Sequence, residues 1–219
     1  MSAAIVVPAH NEAATIGAVV AGLRGWGHVI VVDDASRDGT ADIARAAGAE
    51  VLTHAINRGY EGALESGFAH AVTARHAVIV TFDADGQHDP RSLADILPPL
   101  LENRADLVLG IRPAAARLGE VLFNLYARLR FGLPDILCGL KGYRSELYAR
   151  HGCFDHIHGL GTELALASMS QGARWQTVPV LIHPRQDAPR IGSRFRANRR
   201  LLTALARAIR CDLMGWPAR

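Results

Sequence analysis

What most constrains this chain is a rhythm in its first half. Short β-branched runs, each breaking off at a polar cluster, alternate with segments of helical period. Ala4-Ile5-Val6-Val7 ends at Pro8 and His10-Asn11-Glu12, Val29 to Val32 ends at Asp33-Asp34, and Ala77 to Phe82 runs into Asp83 to His88. Between them lie residues 15–23, with Ile16, Val19, Val20 and Leu23 on one helical face, 40–47, which stop at Gly48, and 62–74; residues 50–53 add a short strand. Continuously apolar strands alternating with helices predict an α/β fold with a mostly parallel sheet covered on both faces. Ligands of such sheets bind beyond the carboxyl ends of the strands, where all three carboxylate-bearing clusters fall. The second half is less regular: 106–109 and 177–182 read as strands, and 118–129, 162–170 and 194–213 as helices.

With 219 residues and no repeat or Pro/Gly/Ser linker, the chain is expected to be a single domain, 1–219. Its charge is uneven. Residues 1–110 carry seven arginines, no lysine and 14 acids, a balance of −7, whereas 111–219 carry 17 basic residues and seven acids, a balance of +10. An acidic half suits a metal-assisted site; a basic half suits a phosphate group, an anionic membrane surface or nucleic acid. The arginine-rich tail has no interleaved aromatic beyond Phe195, so nucleic acid is not an expected partner. No window approaches the roughly 18 consecutive apolar residues of a membrane span, and no basic leader precedes an apolar stretch. Cys138, Cys153 and Cys211 are odd in number and widely spaced, which argues against a disulfide framework or a zinc site and for a reduced, cytoplasmic setting.

The chemistry centres on Asp83-Ala84-Asp85-Gly86-Gln87-His88. Two carboxylates at i and i+2 leaving a strand can converge on one hard cation, Mg²⁺ or Mn²⁺, shared with substrate phosphates. Gly86 permits a tight turn that brings the Gln87 oxygen toward the same ion. Taken singly, each cluster also fits ordinary turn chemistry, and Glu12 and Asp34 also suit the first turns of helices.

In order along the chain, Val6 to Glu12, Val31 to Thr40 and Phe82 to Pro90 resemble the three pieces of the nucleotide site in the family 2 glycosyltransferases, which have the GT-A fold. Asn57-Arg58-Gly59, Gly110-Ile111-Arg112 and Gly139 to Arg144 resemble segments of one branch, the polyprenyl-phosphate sugar transferases, as do Arg117, Asn124, Arg128 and Gly132-Leu133-Pro134 at matching spacings. The resemblance reaches to about Arg194. It implies an inverting, metal-dependent glycosyltransferase with a UDP- or GDP-sugar donor and a dolichyl- or undecaprenyl-type phosphate acceptor. Residues 1–110 would then be the nucleotide-sugar half and 111–219 the acceptor half. By position, Pro8, Ala9, Glu12, Asp34, Asp83 and Ala84 would bind the nucleotide sugar, with Glu12 near the ribose and Asp34 at the base edge. Asp83, Asp85 and Gln87 would hold the metal, Asp85 and Arg112 would be catalytic, and Arg112, Arg117 and Arg185 would grip phosphate. Departures from the branch pattern, at Ile111, Gly119, Leu140-Lys141 and Gly192-Ser193-Arg194, all fall on the acceptor side.

A phosphate acceptor is already anionic, since its second pKa is about 6, and needs no general base. A hydroxyl acceptor, of a saccharide or small metabolite, needs a carboxylate to take its proton; Glu163 is the favoured candidate and Asp135 the second. Finally, Leu118, Val121, Leu122, Leu125 and Leu129 form a helical stripe with Arg128 and Arg130 beside it, and the tail forms another. Each fits either an anionic membrane surface, giving peripheral association at the inner face of the membrane, or the protein's own core.

Overall fold

The computed structural model describes residues 2–113, 118–183 and 194–216, so Arg117 and Arg185 lie outside the described residues. The elements run β1 (Ala3–Ala9), α1 (Ile16–Leu23), β2 (His28–Asp33), α2 (Thr40–Ala46), β3 (Glu50–Thr53), α3 (Gly59–Thr73) and β4 (Val78–Thr81). They continue with α4 (Leu93–Leu101), β5 (Leu107–Ile111), α5 (Leu118–Phe131), β6 (Lys141–Arg144), α6 (Ser145–His151), α7 (Glu163–Ser170), β7 (Trp175–Pro179) and α8 (Arg194–Met214). The seven strands form one sheet in the order β3-β2-β1-β4-β6-β5-β7, parallel except for β6, which runs antiparallel to both β4 and β5.

The expected alternation produces this sheet because its central strands bury both faces. Ile5, Val7, Val29, Val31 and Val80 pack with Ile16, Val20 and Leu23 of α1 and Ile96 and Leu100 of α4 on one side. Val6, Ile30, Val32, Ile79 and Leu107 pack with Leu64 and Phe68 of α3, Phe123 of α5 and Leu164 of α7 on the other. Helix α3 lies against β1 at Gly67, where a β-carbon would stand 2.3 Å from Val6 Cγ1.

Three elements depart from the sequence pattern. Helix α4 contains Pro98 and Pro99, each without the N–H that would bond four residues back; the helix is held instead by its buried face of Leu93, Ile96, Leu97 and Leu100. Strand β6 is the polar run Lys-Gly-Tyr-Arg, held centrally by pairing on both sides; Gly142 is needed there because a β-carbon would meet Leu100 Cδ1 at 2.6 Å. Strand β7 begins two residues before the expected 177 and stops at 179. The apolar stripe of α5 does not face the core. Leu118, Val121, Leu122, Leu125 and Leu129 are 38 to 79% exposed, while Gly119, Phe123, Asn124 and Ala127 are buried against the body. In α8 the buried stripe is Leu201, Ala204 and Ala208, and Leu202 is exposed. No helix among the described residues is long and apolar enough to cross a membrane.

Candidate active site

The parallel pairing of β1 with β2 and β4 brings their carboxyl ends to one edge, with Ala9 opposite Asp33 and Val6 opposite Thr81. The chain leaving these strands encloses a cavity of about 740 Å³ lined by Pro8, Ala9, Glu12, Asp34, Asp83, Ala84 and Asp85. All six residues expected to meet the nucleotide sugar therefore share one hollow with Asp85. A second cavity of about 490 Å³ is lined by Gln87, His88, Arg112, Cys138, Gly139 and Lys141. Tyr60, Asp83 and Leu160 line both, so Asp83 stands in the wall between them.

Asp83 is fixed from several sides. The Tyr60 hydroxyl donates to Oδ1 at 3.3 Å, and His88 Nε2 lies 3.1 Å from Oδ2. Burial pushes this carboxyl up, but the His88 bond and charge, the Tyr60 bond and the Lys141 charge outweigh it and hold the group below the usual carboxylate range. Asp83 therefore stays ionised at neutral pH. Gly139 makes room for it: a β-carbon there would lie 2.2 Å from Oδ2. The expected turn is present, with Gly86 at φ 74° and Gln87 N–H donating to Asp85 Oδ1 at 3.1 Å. Asp83, Asp85 and Gln87 thus offer side-chain oxygens around the shared wall, the donor chemistry of a hard divalent ion.

Asp34 lines the larger cavity, but its carboxylate serves mainly to fold the loop after β3. Oδ1 accepts from Arg58 N–H at 2.8 Å and lies 2.7 Å from His54 Nδ1, and Oδ2 accepts from Gly59 N–H at 2.8 Å. Asn57-Arg58-Gly59 is thereby drawn to the edge of the cavity. His54, the half-buried partner of this carboxylate, carries no motif and could not be read from the sequence.

Arg112 reaches the second cavity while half-buried in an ion pair with the buried Asp135. Its Nε donates to Asp135 Oδ2 at 2.8 Å and Nη2 to Oδ1 at 3.0 Å. Burial pushes the Asp135 carboxyl up, yet the guanidinium holds it below its ordinary value. Asp135 is therefore the anchor of Arg112 and is not free to accept a proton.

Glu163 is likewise not brought to the site. It is 0% exposed and lines neither cavity. Its carboxylate accepts from the backbone N–H groups of His156 and Ile157 and lies 3.1 Å from His151 Nε2. Burial raises it, His151 and the two N–H groups outweigh that by lowering it, and the net shift is downward. A saturated, low-pKa carboxylate away from the cavities is a structural anchor, which corrects its expected place as a general base. His151, Cys153 and Glu163 do bring their ligating atoms within 4.8 Å of one another, a cluster the spacing of the cysteines did not suggest.

Lys141 is the residue that sequence reasoning passed over. It opens β6 opposite Thr81 of β4 and Leu109 of β5, which puts it at the carboxyl edge of the sheet. Burial pulls its ammonium down to about 8 against the charges of neighbouring carboxylates. The one signal was the resemblance of Gly139 to Arg144 as a segment, which gave Lys141 no role.

A mixed sheet with an acidic turn after its central strand is the arrangement expected of the GT-A fold. Residues 4–152 match the family described as Glycosyl transferase family 2. The chain is 35% identical over 192 residues to an uncharacterized protein of Methanocaldococcus jannaschii, covering 80% of this chain and 79% of the relative. It is 31% identical over 207 residues to the undecaprenyl-phosphate mannosyltransferase of Micrococcus luteus, covering 83% of each. Among solved structures, glucosyl-3-phosphoglycerate synthase from Mycobacterium tuberculosis, in complex with phosphoglyceric acid, superposes with a TM-score of 0.73 at 22% identity, covering 94% of this chain and 80% of that one. The chain belongs to the family 2 glycosyltransferases and has their GT-A fold.

Proposed function

We propose that this glycosyltransferase moves a sugar from a UDP- or GDP-sugar to the phosphate of a polyprenyl lipid, with inversion and with the help of Mg²⁺ or Mn²⁺. The observation that carries the reading is the pair of adjoining cavities divided by Asp83. One has the acidic lining expected of a metal-assisted nucleotide site; the other presents Arg112 and Lys141. The M. luteus relative is named for an undecaprenyl-phosphate acceptor. The M. tuberculosis synthase was crystallised with Mn²⁺, UDP-glucose and phosphoglyceric acid, a phosphate-bearing acceptor.

On this reading Pro8, Ala9, Glu12, Asp34 and Ala84 hold the nucleoside, and Asp83, Asp85 and Gln87 hold the ion. When bound, the ion neutralises charge building on the departing diphosphate. Arg112, oriented by Asp135, faces the acceptor phosphate, and Arg117 and Arg185 are assigned to the same group. The acceptor oxygen is anionic, attacks the anomeric carbon on the face opposite the diphosphate, and needs no base. This agrees with the burial of Glu163 and the pairing of Asp135. The lipid is met at the cytoplasmic face of a membrane, where the exposed leucines of α5, with exposed Arg128 beside them and Arg199, Arg207 and Arg210 on the adjoining α8, suit an anionic surface.

Thermal melting with UDP- and GDP-sugars, with and without Mn²⁺, tests the donor half. A ligand that binds only the folded state must stabilise it, by about 2.7 kcal/mol at a hundredfold excess over Kd. One nucleotide family is expected to raise Tm in the presence of metal, and Asp85→Ala to abolish the rise. Transfer of labelled sugar to polyprenyl phosphate tests the acceptor half. Stabilisation by neither nucleotide family, or label passing only to a saccharide, defeats the proposal.

A further inference from the structure

Lys141 is 3% exposed, and its ammonium makes one hydrogen bond among the described residues, from Nζ to Gly161 O at 2.8 Å. An ammonium carries three donors, so two remain unspent in a side chain that lines the smaller cavity. The carboxylates whose charges it feels are committed elsewhere. Asp83 is held by Tyr60 and His88, Asp135 by Arg112, and Asp155 by the N–H groups of Gly159 and Gly161. A buried cation with most of its donors unpaired is costly, and an anion arriving from solvent removes that cost.

The surroundings fix where such an anion sits. Strand β6 is paired on both sides, so Lys141 has a rigid base. Its bond to Gly161 ties it to the loop between α6 and α7, and Leu160 of that loop borders both cavities. Arg112 lines the same hollow with its guanidinium oriented by Asp135. Asp135 holds the Nε and Nη2 edge of that guanidinium and Glu120 stands 3.7 Å from Nη2, so Nη1 is the donor that Arg112 has to offer an oxyanion, with the Lys141 ammonium a second cation on the same hollow.

We propose that Lys141 is a substrate-contacting residue which, with Arg112, forms the subsite for a phosphate monoester, the headgroup of the acceptor. This rests on the reading of the smaller cavity as the acceptor site and adds to it a residue with no assigned role. The donor diphosphate offers the same chemistry, so the test separates the two sources.

The probe is inorganic phosphate, titrated into the full chain with and without saturating UDP and Mg²⁺ and followed by phosphorus NMR line broadening. Wild type is expected to bind phosphate saturably with UDP already in place. Lys141→Met should weaken that binding at least about tenfold while leaving UDP affinity within about twofold, and Lys141→Arg should recover most of it. In the wild-type protein, phosphate should also protect Lys141 from reductive methylation, read by mass spectrometry of its peptide, a measurement independent of how well the variants fold. The proposal is overturned if wild type shows no saturable phosphate site, if phosphate fails to protect Lys141, or if Lys141→Met binds phosphate normally. Loss of UDP affinity in Lys141→Met equal to the loss of phosphate affinity also overturns it, by assigning the ammonium to the donor. Failure of wild type to bind UDP with Mg²⁺ would instead strike the donor reading of the larger cavity, which the phosphate titration without UDP does not depend on.

Discussion

Asp83 and Gly139 show how one side chain depends on the absence of another. With a β-carbon 2.2 Å from Oδ2, Gly139→Ala must push the Asp83 carboxylate out of its bonds to Tyr60 and His88. Displacement on the ångström scale at a reacting site costs about a hundredfold in rate. Gly139→Ala is therefore expected to lower kcat/KM by about that factor, measured as sugar transfer, and a rate near wild type would remove Asp83 from the site. Asp155 offers a test by pH. Burial pushes its carboxyl up to about 6, against the N–H bonds of Gly159 and Gly161 that lower it. The unfolded chain releases the same proton near 3.8, the ordinary value of an aspartate. Between these values the folded state binds more protons, so the stability this group contributes at low pH is lost as pH rises through about 6. Asp155→Asn should flatten that fall, which amounts to at most about 1.4 kcal/mol per pH unit. Urea unfolding of both proteins between pH 4 and 7 measures it, and identical slopes would refute the assignment.

At the scale of elements, α5 is a helix whose apolar period points away from the body it packs on. Phe123 and Ala127 face inward together with Glu120 and Asn124, and the leucine stripe faces out. Amphipathic period alone locates a stripe but not its partner, because core and lipid reward the same pattern. Since the stripe is exposed, Leu122→Glu with Leu125→Glu should leave the unfolding free energy within about 0.5 kcal/mol of wild type. The same pair should abolish co-sedimentation with vesicles containing anionic lipid. A double variant that still sediments would free the stripe from this role. The loop between α6 and α7 is fixed in the opposite way, by buried acids: Asp155 holds Gly159 and Gly161, and Glu163 holds His156 and Ile157. Leu160 sits within it at φ 60°, an uncommon conformation for a bulky side chain, where it borders both cavities.

Across the whole molecule five acids of the first half, Glu12, Asp34, Glu61, Asp83 and Asp85, line the larger cavity, which Arg200 also borders, and Arg112 and Lys141 of the second half line the smaller one beside Asp83. The remaining positive charge of α5 and α8 includes exposed Arg128, Arg199 and Arg210. Each basic residue near an anionic membrane contributes about 1 kcal/mol, and that attraction is screened within a Debye length of about 10 Å at 0.1 M salt. Vesicle attachment should therefore weaken steeply between low and physiological salt, while the Tm rise with nucleotide and metal should change little. Attachment insensitive to salt would leave the leucines as the sole contact.

By itself the sequence determined the sheet, since runs such as Ile5-Val6-Val7 and Val29 to Val32 are apolar on both faces and only a doubly covered parallel sheet buries both. It also determined which acids share one edge, because Glu12, Asp34, Asp83 and Asp85 follow strand ends and the ends of parallel strands lie together. The tertiary structure alone decided what those positions meet. Strand β6 exists because β4 and β5 offer it hydrogen bonds on both sides, which a polar run such as Lys141 to Arg144 does not announce. Glu163 is an anchor and Lys141 a buried cation on the smaller cavity because burial and partners set a group's charge and reach, and both are properties of the packed neighbourhood, which the residue type does not carry.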